Sequence, residues 1–102
     1  MAIYKNYSGD QTNITVLSKM PVKGGNIRVN EILITNTHTS NTLTISRLYL
    51  DDETTEYDLI YKVAIPVGAS LLLNDDFVKY NVRLFGLKIT TTGTASATIV
   101  IS

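Results

Sequence analysis

Apolar residues in this chain come in short runs rich in Ile, Val, Leu and Tyr, separated by clusters of Gly, Pro, Asn, Asp and Thr. No stretch repeats them at the spacing of a long helix, and several runs alternate apolar with polar residues, as half-buried strands do. The first run, around Ile3–Tyr7, ends at the polar break Ser8-Gly9-Asp10. A short strand follows over Ile14–Leu17 and ends near Met20-Pro21. The Gly24-Gly25 pair then turns the chain into its longest run, Ile27–Asn36. Beyond the polar loop Thr37–Asn41 come strands over Leu43–Asp51, Tyr57–Val63, Ser70–Leu73, Phe85–Ile89 and Ala97–Ile101.

Parity within these runs makes specific predictions. Ile27 and Val29 share one face of their strand, whereas Ile32 and Ile34 continue on the other. Either a bulge at Asn30-Glu31 restores a single apolar face, or the strand is buried on both faces near Ile32-Leu33-Ile34. An antiparallel register placing Ile34 opposite Ile45 sets Thr35 opposite Thr44. Tyr57, Leu59, Tyr61 and Val63 share the apolar face of one strand, with Asp58, Ile60 and Lys62 on the other. Ile65-Pro66-Val67-Gly68 suits a type I turn with Pro second and Gly fourth. A loop at Thr92-Gly93-Thr94 predicts a final hairpin pairing Ile89 with Ala97, Leu87 with Ile99 and Phe85 with Ile101.

Seven to eight short strands with turns between them predict an all-β fold: a two-sheet antiparallel sandwich, Ig-like or jelly-roll-like. With 102 residues there is room for one core. The expected organisation is an N-terminal arm over residues 1–12 and one sandwich domain over residues 13–102. Apolar residues in an arm need a surface to cover, which makes Ile3, Tyr4 and Tyr7 the candidate subunit interface. Open strand edges are a second candidate for intersubunit contact.

Composition narrows the function classes. Nine basic residues balance nine acidic ones, which argues against nucleic-acid binding through clustered Lys and Arg. There is no cysteine, so disulfides, thiolate metal sites and cysteine nucleophiles are excluded. Charged residues are only 18% of the chain, leaving Thr, Asn and Ser to supply most of the polar surface. No apolar run reaches the length of a membrane-spanning helix, and the N-terminus lacks the pattern of a secretory signal. Synthesis in a cytosol and no membrane partner are the expectation.

Candidate chemistry is sparse. The single histidine, His38, sits in a Thr/Ser/Asn loop, where a solvated role is favoured over a triad. The acidic run Asp51-Asp52-Glu53, with Glu56 and Asp58, could offer oxygen ligands to calcium but lacks EF-hand spacing, so a solvated turn is favoured. Asn74-Asp75-Asp76 reads the same way. Gly24-Gly25 has no phosphate-loop companions. Tyr57 and Tyr61 are expected in the core. The expectation is thus a non-enzyme without cofactor, metal or catalytic residues.

Three segments in order carry a resemblance: Ile32-Leu33-Ile34-Thr35-Asn36-Thr37, then Leu43-Thr44-Ile45 after a polar loop, then Ile65-Pro66-Val67-Gly68-Ala69-Ser70-Leu71. Over Asn26–Ser102 the chain resembles the small β-sandwich virion structural proteins of tailed bacteriophages. The resemblance implies a capsid decoration protein, or alternatively an accessory structural protein of the tail or neck. Its partners would be other virion proteins and itself, as a homo-oligomer such as a trimer, in a virion assembled in the host cytoplasm. It carries over no site residues. The alternative from a different class is a carbohydrate-binding module on a fibre or cell surface, against which the absence of Trp counts.

Overall fold

The computed structural model describes residues 3–19, 28–74, 80–82 and 84–102. Gly24, Gly25, Ile27, Asp75 and Asp76 lie outside them. The strands, in chain order, are β1 (Ile3–Ser8), β2 (Gln11–Leu17), β3 (Arg28–Val29), β4 (Ile32–Asn36), β5 (Leu43–Asp51), β6 (Glu56–Ile65), β7 (Ser70–Leu73), β8 (Tyr80–Asn81), β9 (Gly86–Thr92) and β10 (Ser96–Ile101). Among the described residues there is no helix.

The pairing follows one rule. β5 pairs antiparallel with β6 around a tip at residues 52–55, then β4 with β7, β3 with β8, β2 with β9 and β1 with β10. The chain is therefore one long antiparallel hairpin. Two further pairings, β10 with β4 and β9 with β5, roll it up. The result is a sheet ordered β1-β10-β4-β7, a second ordered β2-β9-β5-β6, and the short β3-β8 ladder. This winding is a jelly roll, so the expected two-sheet sandwich is the fold, and strand order selects this topology over the Ig-like one. Between the sheets lies one core: Ile32, Ile34, Ile99 and Ile101 from the first sheet meet Ile45, Leu48, Leu87 and Ile89 from the second.

Two expected hairpins do not form. β4 and β5 lie in different sheets, and Ile34 faces Ile99 and Leu71 rather than Ile45. β9 and β10 are likewise separated: Ile89 pairs with Ile14 and Leu48, while Ile99 pairs with Lys5 and Ile34. Matching parity in consecutive strands fits a hairpin, but it equally fits a chain that arches from one sheet to the facing one with both apolar faces inward.

Residues 3–8, expected to be part of an arm, are paired with β10 along their whole length as an integral edge strand. At the phase change the chain breaks between β3 and β4. The Asn30 and Glu31 amides both donate to the Ser102 carbonyl, at 2.8 and 2.9 Å, which is bulge bonding at the expected position. The β6–β7 turn lies one residue later than expected. Ala69 N donates to Pro66 O, placing Gly68 third with φ of 78°, as a type II turn requires.

Tyr57 and Tyr61 are 49% and 60% exposed, contrary to a core role. On β5 the buried parity switches from Leu43 and Ile45 to Leu48 and Leu50, where the β5–β9 register shifts near Ser46. On β6 Ile60 is buried opposite Leu48, and an irregularity lies just before it at Leu59. Lys62, directly after Tyr61, has φ of 55°, so strict alternation does not hold along this strand.

Candidate interaction surface

The two sheets present unlike outer faces. On β1 the outward positions are Tyr4, Asn6 and Ser8, because Ile3 and Tyr7 pack against the core. The register carries these positions across the sheet in rows. Tyr4 pairs with Val100, Val100 with Leu33 and Leu33 with Leu72, giving one apolar row over all four strands. The next row is Asn6, Thr98, Thr35 and Ser70. Ser8 and Ser96 follow, with Thr37 beside them. None of these side chains is charged.

Polar groups in these rows bond to one another. Thr98 Oγ1 donates to Asn6 Oδ1 at 2.7 Å, Thr35 and Ser70 share a hydroxyl–hydroxyl bond of 2.8 Å, and Thr37 Oγ1 donates to Ser96 Oγ at 3.1 Å. Covering this face costs little in stranded hydrogen bonds, since cross-strand partners are already in place. Tyr4 is 71% and Leu72 53% exposed at the row's ends, with Val100 and Leu33 half-buried between them.

The outer face of the second sheet is charged and tied together. Arg47 bonds Asp58 through Nε and Glu56 through Nη1, the latter at 2.9 Å, and its guanidinium lies 3.9 Å from the centre of the Tyr49 ring. Hydrogen bonds from Arg47 to Asp58 and then to Glu56 raise its pKa. Lys88 pairs with Asp51 at 3.1 Å and is likewise held protonated by it. Tyr49 OH donates to Asn13 Oδ1, which also accepts from Thr90.

Of the candidate interface residues, only Tyr4 lies open on a face. Ile3 and Tyr7 point inward, and burial raises the pKa of the Tyr7 hydroxyl. Leu33, Leu72, Thr98 and Val100 extend the surface beyond the expected set. The sequence signal lies in the outward positions of β1, β4, β7 and β10, none of which is charged.

The other candidate residues have structural partners. His38 is half-buried, and its Nδ1 accepts from the amides of Asn41 at 2.8 Å and Ser40 at 3.1 Å, closing its own loop. In the acidic turn Asp51 Oδ1 accepts from Glu53 N, and Asp52 Oδ1 from Thr54 N and Thr55 N. These backbone donors lead the causes that hold both carboxyls below their ordinary pKa. Among the described residues no group of three or more His, Cys, Asp or Glu is placed to hold a metal ion.

Two concavities accompany these faces. An open cleft of about 230 Å³ lies beside Asp51, Glu53 and Lys88. A second, of about 290 Å³, is lined by Arg28, Leu50, Tyr80, Asn81, Leu84 and Phe85. Tyr57 stacks edge-on to Phe85 at 5.8 Å. In comparisons with known proteins, no family model, no curated protein and no solved structure matches this chain.

Proposed function

We propose that this chain is a non-enzymatic structural protein of a phage virion, a capsid decoration protein in the first instance, working through protein contacts. Jelly rolls serve capsid proteins, lectins and cupins alike, so the fold by itself selects none of them. The observation that carries the reading is the uncharged outer face of the β1-β10-β4-β7 sheet, with its apolar row and its internally bonded hydroxyls. Such a face suits dry packing against protein better than binding to phosphate or to a sugar, both of which need free donors or charge. The resemblance of residues 26–102 to virion proteins supports the same reading.

The test is mass spectrometry of purified particles produced by the genome that encodes this chain, with heads and tails separated. The chain in fixed stoichiometry on heads is the expected result, and recovery on tails selects the tail or neck role. Its absence from both fractions would overturn the proposal.

A second reading has its own observation. The exposed Tyr57 and Tyr61 on β6 are the kind of rings on which a sugar stacks. Binding on a glycan array that is lost in Tyr61→Ala would favour a carbohydrate-binding module instead.

A further inference from the structure

We infer that the outer face of the β1-β10-β4-β7 sheet is a self-association surface, which two copies of this chain share across a two-fold axis running along the strands between β10 and β4. The inference deepens the proposed function by naming the surface and its occupant. It rests on that reading only in taking the chain to act through protein contacts.

The strand edges are poor candidates for association, because each carries a known obstacle to strand addition. On β1, Lys5 shares the inward side with Ile3 and Tyr7, opposite Ile99. β2 is broken by two register shifts, and Asn13 sits at φ of 48°. Its Gln11 and Asn13 amides bond to the hydroxyls of Thr91 and Thr90. β6 has the irregularity at Leu59 and the left-handed Lys62. β7 is only four residues long. Association is thereby directed from edges to faces.

Of the two faces, the charged one repels a copy of itself wherever like charges meet, and its ions are already paired. The uncharged one has no such conflict. It is also a poor match for the charged face, which would lose water without gaining counter-charges. An uncharged face is best complemented by another of its kind, and a second copy supplies one.

Row geometry fixes the axis. A two-fold running along the strands brings each row against the same row of the other copy. Apolar then meets apolar, and hydroxyl meets hydroxyl. Tyr4 comes over Leu72 of the second copy, and Val100 over its Leu33. An axis perpendicular to the strands would set the apolar row against the Ser row if centred on the face, and would leave the Thr and Ser rows without their like if centred on the apolar row. With strands about 4.8 Å apart and a rise of about 3.4 Å per residue, the face has a flat footprint on the order of 400 Å² per copy. A standard stable interface buries about 800 Å² per partner, so the association is of the weak, reversible class.

Sedimentation equilibrium of the full chain tests this over a range of about 1 µM to 1 mM, with a dissociation constant on the order of 10–100 µM expected. Tyr4→Lys and Leu72→Glu alter exposed positions, so both variants should keep the wild-type circular dichroism. Each is expected to weaken association about tenfold or more. The double variant places opposite charges in contact across the axis and should recover affinity over either single variant. Tyr61→Lys, on the opposite face, should leave association unchanged. A wild-type chain that stays monomeric throughout, a Tyr61→Lys effect as large as that of Leu72→Glu, or a double variant no better than the singles would each overturn the inference. A monomeric chain recovered on particles overturns this inference alone, while a dimer absent from particles overturns only the virion reading.

Discussion

Asn36, at the end of β4, donates its side-chain amide at 2.9 Å to the carbonyl of Ile65, at the end of β6, and so joins the two sheets at one end of the sandwich. The same amide donates to Asn41 O at 2.9 Å, and Asn36 Oδ1 accepts from His38 N. A buried amide is thus used three times where a loop crosses from one sheet to the other.

Asn36→Ala removes all three bonds and leaves backbone groups without their partners. Stability in urea unfolding should fall by about 2–3 kcal/mol. Asn36→Asp loses the two donors and introduces a charge, so its deficit should grow as the pH rises through the carboxylate range. Unfolding midpoints at pH 4 and pH 8 check both points, and an Asn36→Ala variant as stable as wild type would show the bonds to be dispensable.

Gly93 and Gly68 form a controlled pair. Both have positive φ, but a Cβ at Gly93 would collide with Thr42 O, whereas Gly68 has open space around it. Gly68→Ala should cost about 1 kcal/mol for backbone conformation alone. Gly93→Ala must also displace backbone and should cost about 2–4 kcal/mol. Equal losses in thermal melts would remove the argument from close approach.

Tyr80 is almost fully buried, and its hydroxyl has no hydrogen-bond partner among the described residues; burial alone raises its pKa strongly. Tyr80→Phe removes an unsatisfied polar atom while keeping the ring, so stability should rise by about 1 kcal/mol. A destabilised Tyr80→Phe variant would mean that the hydroxyl is bonded in solution.

Asp51 and Asp52 have depressed folded-state pKa values, chiefly through backbone donors. Between those values and the ordinary 3.8 the unfolded chain binds more protons than the folded one. Their contribution is therefore present above that ordinary value and is lost as the pH falls through the folded values. Asp52→Ala should lower the melting temperature by a few degrees at pH 6 and show little difference from wild type near pH 2. A gap that stays constant across this range would contradict the proton linkage.

The legibility of the fold in the sequence divides cleanly. Strand positions such as Leu43–Asp51 and Ser70–Leu73 are readable because alternation and turn residues are local properties. The bulge bonding at Asn30-Glu31 is readable for the same reason, since the parity change along one apolar run registers the break between β3 and β4. Pairing is not. Ile34 and Ile45, or Ile89 and Ala97, point into one core whether their strands lie side by side or face each other, and no local pattern separates the two cases. Tyr57 and Tyr61 were misplaced because alternation cannot register the left-handed Lys62 or the irregularity at Leu59. Of the interaction surface, Tyr4 was legible as an unburied apolar residue. Val100, Leu33 and Leu72 are legible singly as uncharged outward positions, but their joining with Tyr4 into one row depends on strand order.

The rolled hairpin also has a kinetic consequence. Its tip at residues 52–55 closes a short loop, whereas pairing Ile3 with Ile101 brings together positions from opposite ends of the sequence. A fold dominated by such distant pairs has high contact order and should form slowly for its size. Loop-closure entropy favours winding outward from the tip, with β1 docking last. Substitutions in β5 and β6 should then slow folding, while those in β1 should speed unfolding, a division that stopped-flow chevrons can read directly.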